Sequence, residues 1–139
     1  MTTPTFHVTP AYGRTGSENY HMVQAVRIGD RVEISGQAGR TDDGQFPTSL
    51  ADEIELAFGN VGRTLASAGA AWSDVYSITS YHVPTKADGD GLLAHVPIMV
   101  ENMRRSLPSR KPLWTCIGVA CLGMPEMRVE IVVSAHVTG

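Results

Sequence analysis

The chain has 139 residues, of which 42% are hydrophobic and 18% charged, enough to bury one core without help from disulfides or a metal. A formal charge of −3 and a sequence pI near 5.9 leave no electrostatic footprint for nucleic acid. No apolar stretch approaches the roughly 20 residues that cross a bilayer and no charged segment precedes an apolar run at the start, so no membrane partner is expected and a cytoplasmic location is.

Residues 1–18, rich in Thr, Pro and Gly, read as an N-terminal arm with room for one short edge strand at Thr5–Thr9. Met22–Ile28 and Arg31–Ser35 are β-rich, and Gly29-Asp30 between them tolerates the positive φ of a hairpin turn. Gly36-Gln37-Ala38-Gly39 then breaks the strand pattern, and Asp42–Gln45 is an exposed turn. From Thr48 to Gly69 the apolar residues Leu50, Ile54, Ala57, Phe58, Val61, Leu65 and Ala68 recur at helical spacing. Thr48 or Ser49 caps this helix, Asp52 and Glu53 suit its first turns, and Gly69 ends it.

Asp74–Val83 alternates as a strand that Pro84 closes. The following Asp88-Gly89-Asp90-Gly91 lacks the further carboxylates and closing glutamate of a calcium loop. Val96, Met99, Val100, Met103 and Leu107 form the stripe of a second helix, with Pro97 expected at its first position and Pro108 beyond its end. The basic cluster Arg104, Arg105, Arg110 and Lys111 falls where a helix C-terminus favours cations.

The last stretch carries the candidate chemistry. Met127, Val129, Ile131, Val133, Ala135 and Val137 make one apolar row, while Arg128, Glu130, Val132, Ser134 and His136 point the other way. Leu113–Leu122 is also β-rich, and Gly123–Glu126 is short enough to join the two as an antiparallel hairpin. A turn centred near Met124 sets Gly118 opposite Glu130 and places Trp114, Cys116 and Glu130 on one face. Beside a residue with no side chain, Glu130 has room for a small molecule or a water; the competing reading is an ion pair with Arg128 or another strand's arginine. Cys116 and Cys121 lie roughly 16 Å apart along a strand and cannot bridge. The five histidines are scattered without metal-ligand spacing, and neither a phosphate loop nor a serine-nucleophile frame occurs, so no metal or cofactor is expected. Two helices on one face of a mixed sheet leave a second face too mixed for a monomer's core, which points to a homo-oligomer.

The runs VQAVRIGDRVEISGQAG, AFGNVGRTLASAGAAWSDV and RVEIVVSA resemble the Rid (reactive intermediate deaminase) family, also called the YjgF or RidA family, over about Tyr20–Val137. The resemblance implies an α+β, chorismate-mutase-like fold, assembled as a homotrimer with a central β-barrel, helices outside and small-molecule clefts between subunits. It also implies hydrolytic deamination of enamine or imine intermediates, with Glu130 of RVEI as general acid/base and Ser35 of ISGQ and Cys116 lining the cleft. Cys116 reads as a wall residue, having no base beside it in sequence. Where the family's deaminases carry a carboxylate-binding arginine this chain has Trp114; where they carry a tyrosine it has Met22, with Tyr20 and His21 close by; and where they carry an asparagine it has Pro97. A tryptophan supplies neither charge nor a fork of donors, so the expected substrate is not a small iminoacid but a larger or aromatic one stacking on Trp114. The alternatives are another proton-transfer enzyme of a specialised pathway, a ligand-binding or chaperone-like trimer, and, against the charge balance, the endoribonuclease of the family's older label.

Overall fold

A computed structural model describes residues 2–138. In chain order the elements are β1 (Thr5–His7), α1 (Tyr12–Tyr20), β2 (Ala25–Ile28), β3 (Arg31–Ile34), β4 (Gln37–Ala38), α2 (Leu50–Ser67), β5 (Val75–His82), α3 (His95–Ser106), β6 (Leu113–Gly118) and β7 (Val129–His136). The strands form one mixed sheet in the order β1-β2-β3-β7-β5-β6, with β4 continuing the pairing along β7 beyond β3. The α+β architecture with α2 and α3 packed on one sheet face agrees with the periodicities. Among the described residues no helix is long and apolar enough to cross a membrane.

Alternation in β7 places Val129, Ile131, Val133 and Ala135 in the core, where Val32, Ile34 and Ile78 join them from neighbouring strands. Ile54, Ala57, Phe58, Val61 and Leu65 of α2 and Met99 of α3 close the core from above. Ser49 caps α2 by accepting the Asp52 N–H at 3.1 Å, and Gly69 terminates it at φ 77°. The β2–β3 hairpin turns through Gly29 at φ 61°, as its sequence predicts. In β5 the register shifts between Val75 and Ser77, so Val75 and Ile78 both face the core although three residues apart.

The expected hairpin between β6 and β7 does not form. Strand β6 lies parallel to β5, Trp114 beside Ile78, Cys116 beside Ser80 and Gly118 beside His82, and β5 separates it from β7. Helix α3 supplies the crossover that a parallel pair requires, whereas turn length alone had suggested the antiparallel partner. Glu130 therefore faces Ala38 and Tyr81, not Gly118, and it shares the sheet face away from the helices. Trp114 and Cys116 align with Ile78 and Ser80 on the helix-bearing face, so these two residues and Glu130 do not share a face within one chain.

Three further expectations change. The N-terminal stretch holds an edge strand, β1, as anticipated, but continues into α1, whose two internal glycines and low apolar content hid it. Gln37-Ala38, read as a break, is a short strand on β7. Pro97 is the third residue of α3, still among the first N–H positions that lack intrahelical partners.

The buried carboxylate of Glu53 in α2 receives the Arg128 backbone N–H at 2.7 Å and its Nε at 2.6 Å, while the same guanidinium donates to the carbonyls of Pro47 and Thr48 at 3.1 Å. One residue thus ties the start of β7 to the start of α2. Arg128→Met leaves a fully buried carboxylate short of its counter-charge, and chemical denaturation should show a loss of about 2–4 kcal/mol with the fold retained.

Candidate active site

Glu130 projects from β7 into a cavity of about 320 Å³ whose walls include Tyr20, Met22, Ser35, Gly36, Arg40 and Met127. Its neighbour is Gly36: a Cβ there would stand 2.6 Å from Glu130 Cδ, so the carboxylate occupies space that any other residue would fill. The room that sequence reading assigned to Gly118 is provided by Gly36. Arg128 is engaged by Glu53, and the Glu130 carboxylate makes no hydrogen bond or ion pair with any described residue. Burial without a compensating partner raises its pKa above the ordinary carboxylate range.

The cavity wall is braced from behind. Ser35 donates its N–H to the Gln24 carbonyl at 2.8 Å, and Gln37 Nε2 donates to the Ser35 carbonyl at 3.0 Å. The buried Tyr12 hydroxyl donates to Gln37 Oε1, and its ring lies 5.5 and 5.2 Å from the guanidinium carbons of Arg40 and Arg63. Gln24 holds α1 in place, accepting the Thr9 N–H at 2.9 Å and donating to the Gly13 carbonyl at 3.1 Å. Gly13 is needed there, because a Cβ would lie 2.6 Å from Gln24 Oε1. Helix α1 thereby brings Tyr20, 70% exposed, and Met22 to the rim. Ser35, Met22, Tyr20 and Glu130 line this one cavity. Tyr12, Gly36, Gln37 and Arg40 were missed; ISGQ contained two of them, but nothing in the sequence shows that Tyr12 reaches Gln37.

Trp114, Cys116 and Gly118 stand elsewhere. Cys116 and Gly118 line a cavity of about 730 Å³ with Pro84, Leu92 and Val96, and Trp114 lines another of about 740 Å³ beside the end of α3. Trp114 Nε1 donates to Ser80 Oγ at 2.9 Å, and Ser80 Oγ is 2.8 Å from His82 Nε2. The His82 ring meets His95 edge-to-face with centroids 4.9 Å apart, and His95 Nδ1 is 2.8 Å from Asp88. Asp88 also accepts N–H bonds from Thr85 and Ala94, so the acidic loop residue caps α3. Burial lowers the His82 pKa to about 4, keeping that ring neutral near pH 7, and burial pushes the Cys116 thiol up. Cys116 is therefore a protonated wall residue. The histidines, scattered in sequence, are in part gathered by the fold, and His82 Nδ1 and His95 Nε2 have no hydrogen-bond partner among the described residues.

The family model described as endoribonuclease L-PSP matches residues 17–137. The chain is 31% identical over 125 residues to the RutC family protein YjgH of Escherichia coli strain K12, covering 90% of this chain and 91% of that one. A solved YjgH structure superposes with a TM-score of 0.78 at 27% identity over 97% of both chains. The fold also matches E. coli TdcF with bound serine, at a TM-score of 0.71 and 24% identity over 84% of this chain and 88% of TdcF.

The raised Glu130 pKa has a measurable sign. An acid whose folded pKa exceeds its unfolded one is stabilising when protonated, and that contribution is lost as pH rises through the folded value. Carboxyl-carbon NMR should place Glu130 above an unperturbed glutamate. Glu130→Gln should be at least as resistant to denaturant as the parent at pH 7, with any advantage shrinking below about pH 4.

Proposed function

The chain belongs to the endoribonuclease L-PSP family, the family of the YjgF and RidA proteins, and from that premise we propose that it is a Rid-type hydrolase of enamine or imine intermediates with Glu130 as its general acid/base. The observation that carries this reading is a half-buried carboxylate with no partner among the described residues, held over Gly36 in a cavity of small-molecule size.

Glu130 takes a proton from water as its oxygen adds to the imine carbon. The carboxyl returns that proton to nitrogen to give a carbinolamine, then takes the hydroxyl proton and passes it to nitrogen as the C–N bond breaks, releasing ammonia and the carbonyl compound. Burial supports both halves, because a carboxylate with a raised pKa is a stronger base and its acid form persists closer to neutral pH.

The cleft is completed, on this reading, by a second copy in a cytoplasmic homotrimer. Trp114, Cys116 and Gly118 lie across the sheet from Glu130 in one chain, so a shared cleft needs β6 of one subunit and β7 of the next. The half-buried Val26, Thr79, Tyr81 and Val132 on the sheet face away from the helices support its packing against copies. Trp114 in place of the family's carboxylate-binding arginine favours a large or aromatic imine. The same substitution favours, as a second reading, a different proton transfer that needs the carboxylate without that anchor.

Ammonia release should be measured on imines generated in situ by an amino acid oxidase, from small to aromatic, against the spontaneous rate. Acceleration on the large and aromatic imines, falling about 100-fold or more in Glu130→Gln, is the expected result. No acceleration on any imine would overturn deamination in favour of the second reading.

A further inference from the structure

The inward row of β5 changes character along its length. Val75 and Ile78 are aliphatic, but Ser80 and His82, which follow Ile78 at alternate positions, are polar and 0% exposed. Aliphatic side chains there would extend the core without desolvating a polar group. Instead His82 Nδ1, and Nε2 of the His95 ring it meets, are buried with no hydrogen-bond partner among the described residues, an unfavourable placement. Stability does not account for this pair, and what it holds does. Trp114 is half-buried, and its Nε1 donates to Ser80 Oγ at 2.9 Å. An indole N–H only donates, so the hydroxyl accepts it and turns its remaining capacity to His82 Nε2 at 2.8 Å. His82 packs on His95, which Asp88 fixes through both its backbone N–H at 3.1 Å and its Nδ1 at 2.8 Å. Asp88 is itself held by the N–H groups of Thr85 and Ala94 and the Thr85 hydroxyl. The indole is thus anchored to the start of α3 through side chains that are all buried.

We infer that Ser80 and His82 are positioning residues that set a preference for large or aromatic substrates by fixing the plane of the Trp114 indole. The inference rests on the proposed function, in which Trp114 of one copy and Glu130 of the next wall a single cleft. A side chain on a strand has two common χ1 rotamers, and the Ser80 acceptor selects one of them for Trp114. Stacking depends on the offset and angle between two rings, so an indole free to rotate would still fill space but would lose the ring contact. A small substrate, which presents no ring, is indifferent to that rotation. Neither Ser80 nor His82 reaches the substrate, since both are wholly buried and act through the indole.

Affinities for phenylpyruvate and pyruvate, the keto products of an aromatic and a small imine, test this without turnover, and kcat/KM on the two imines tests it with turnover. The parent should favour the aromatic member of each pair. Ser80→Ala and His82→Leu should each cut that preference about fivefold, through the aromatic ligand alone. His82→Gln, whose amide reaches the place of Nε2, should restore most of it, and in a Trp114→Leu background Ser80→Ala should change it no further. The Trp114 indole N–H resonance should shift and exchange faster with solvent in Ser80→Ala. A purely structural role predicts lower stability with both ligands weakened alike. That result, an undiminished preference in folded Ser80→Ala, or a parent without aromatic preference would each overturn the inference. Product preference that the variants lose, with no imine turned over, would sink deamination and leave the inference standing; turnover with an unchanged preference would do the reverse.

Discussion

Strand β7 is bonded along both edges, to β3 and β4 on one side and to β5 on the other, and everything functional in the molecule is placed relative to it. A central strand with one wholly apolar face cannot slip by one residue without exposing Val129, Ile131, Val133 and Ala135 and burying Glu130 and Ser134. Four buried aliphatic side chains at roughly 1.5–3 kcal/mol each oppose that slip. The direction of the Glu130 carboxylate is thus a consequence of the core on the opposite side of its own strand.

Close backbone approach then shapes what surrounds that carboxylate. Gly36 admits Glu130, and Gly39, three residues on, lies so near the Glu53 backbone of α2 that a Cβ would overlap its carbonyl. Between them Gln37 and Ala38 pair with Ile131 and Glu130. The same α2 residue anchors Arg128 at the start of β7, so Glu53 locates both edges of the cavity without lining it. A buried, fully used carboxylate in Glu53 and an unused one in Glu130 stand in contrast: the first is held by charge-assisted hydrogen bonds, the second is left with raised proton affinity.

The helix-bearing face carries a second polar arrangement, unusual because it is buried. Asp88, His95, His82 and Ser80 run in contact beneath β6, and each removes a polar group from water. Asp88 is satisfied by the α3 N-terminus and Thr85, and Ser80 by the indole N–H. The chain thereby couples the conformation of the loop before α3 to the orientation of Trp114. Since burial keeps His82 neutral near pH 7, its link to Ser80 and the indole adds no charge of its own to these contacts.

Helix α2, the β2–β3 hairpin and the inward row of β7 were legible because each rests on a local rule: apolar spacing near 3.6, a Gly-Asp turn, or strict alternation. Glu130 was legible as a carboxylate on the mixed face of a strand, with an ion pair as the competing reading, and the fold sets Ser35, Met22 and Tyr20 around the same cavity. What local rules do not specify is which strand lies beside which. A short connection between two β-rich runs suggested a hairpin, yet β6 pairs with β5 through the α3 crossover, moving Trp114, Cys116 and Gly118 to other cavities. Helix α1 escaped for the same reason, since its stability comes from Tyr12 and Gln24 binding distant residues rather than from its own composition. Periodicity and turn chemistry therefore determined the elements and their inward faces, while the tertiary structure alone decided the neighbours, because pairing is selected by the packing of residues far apart in the chain.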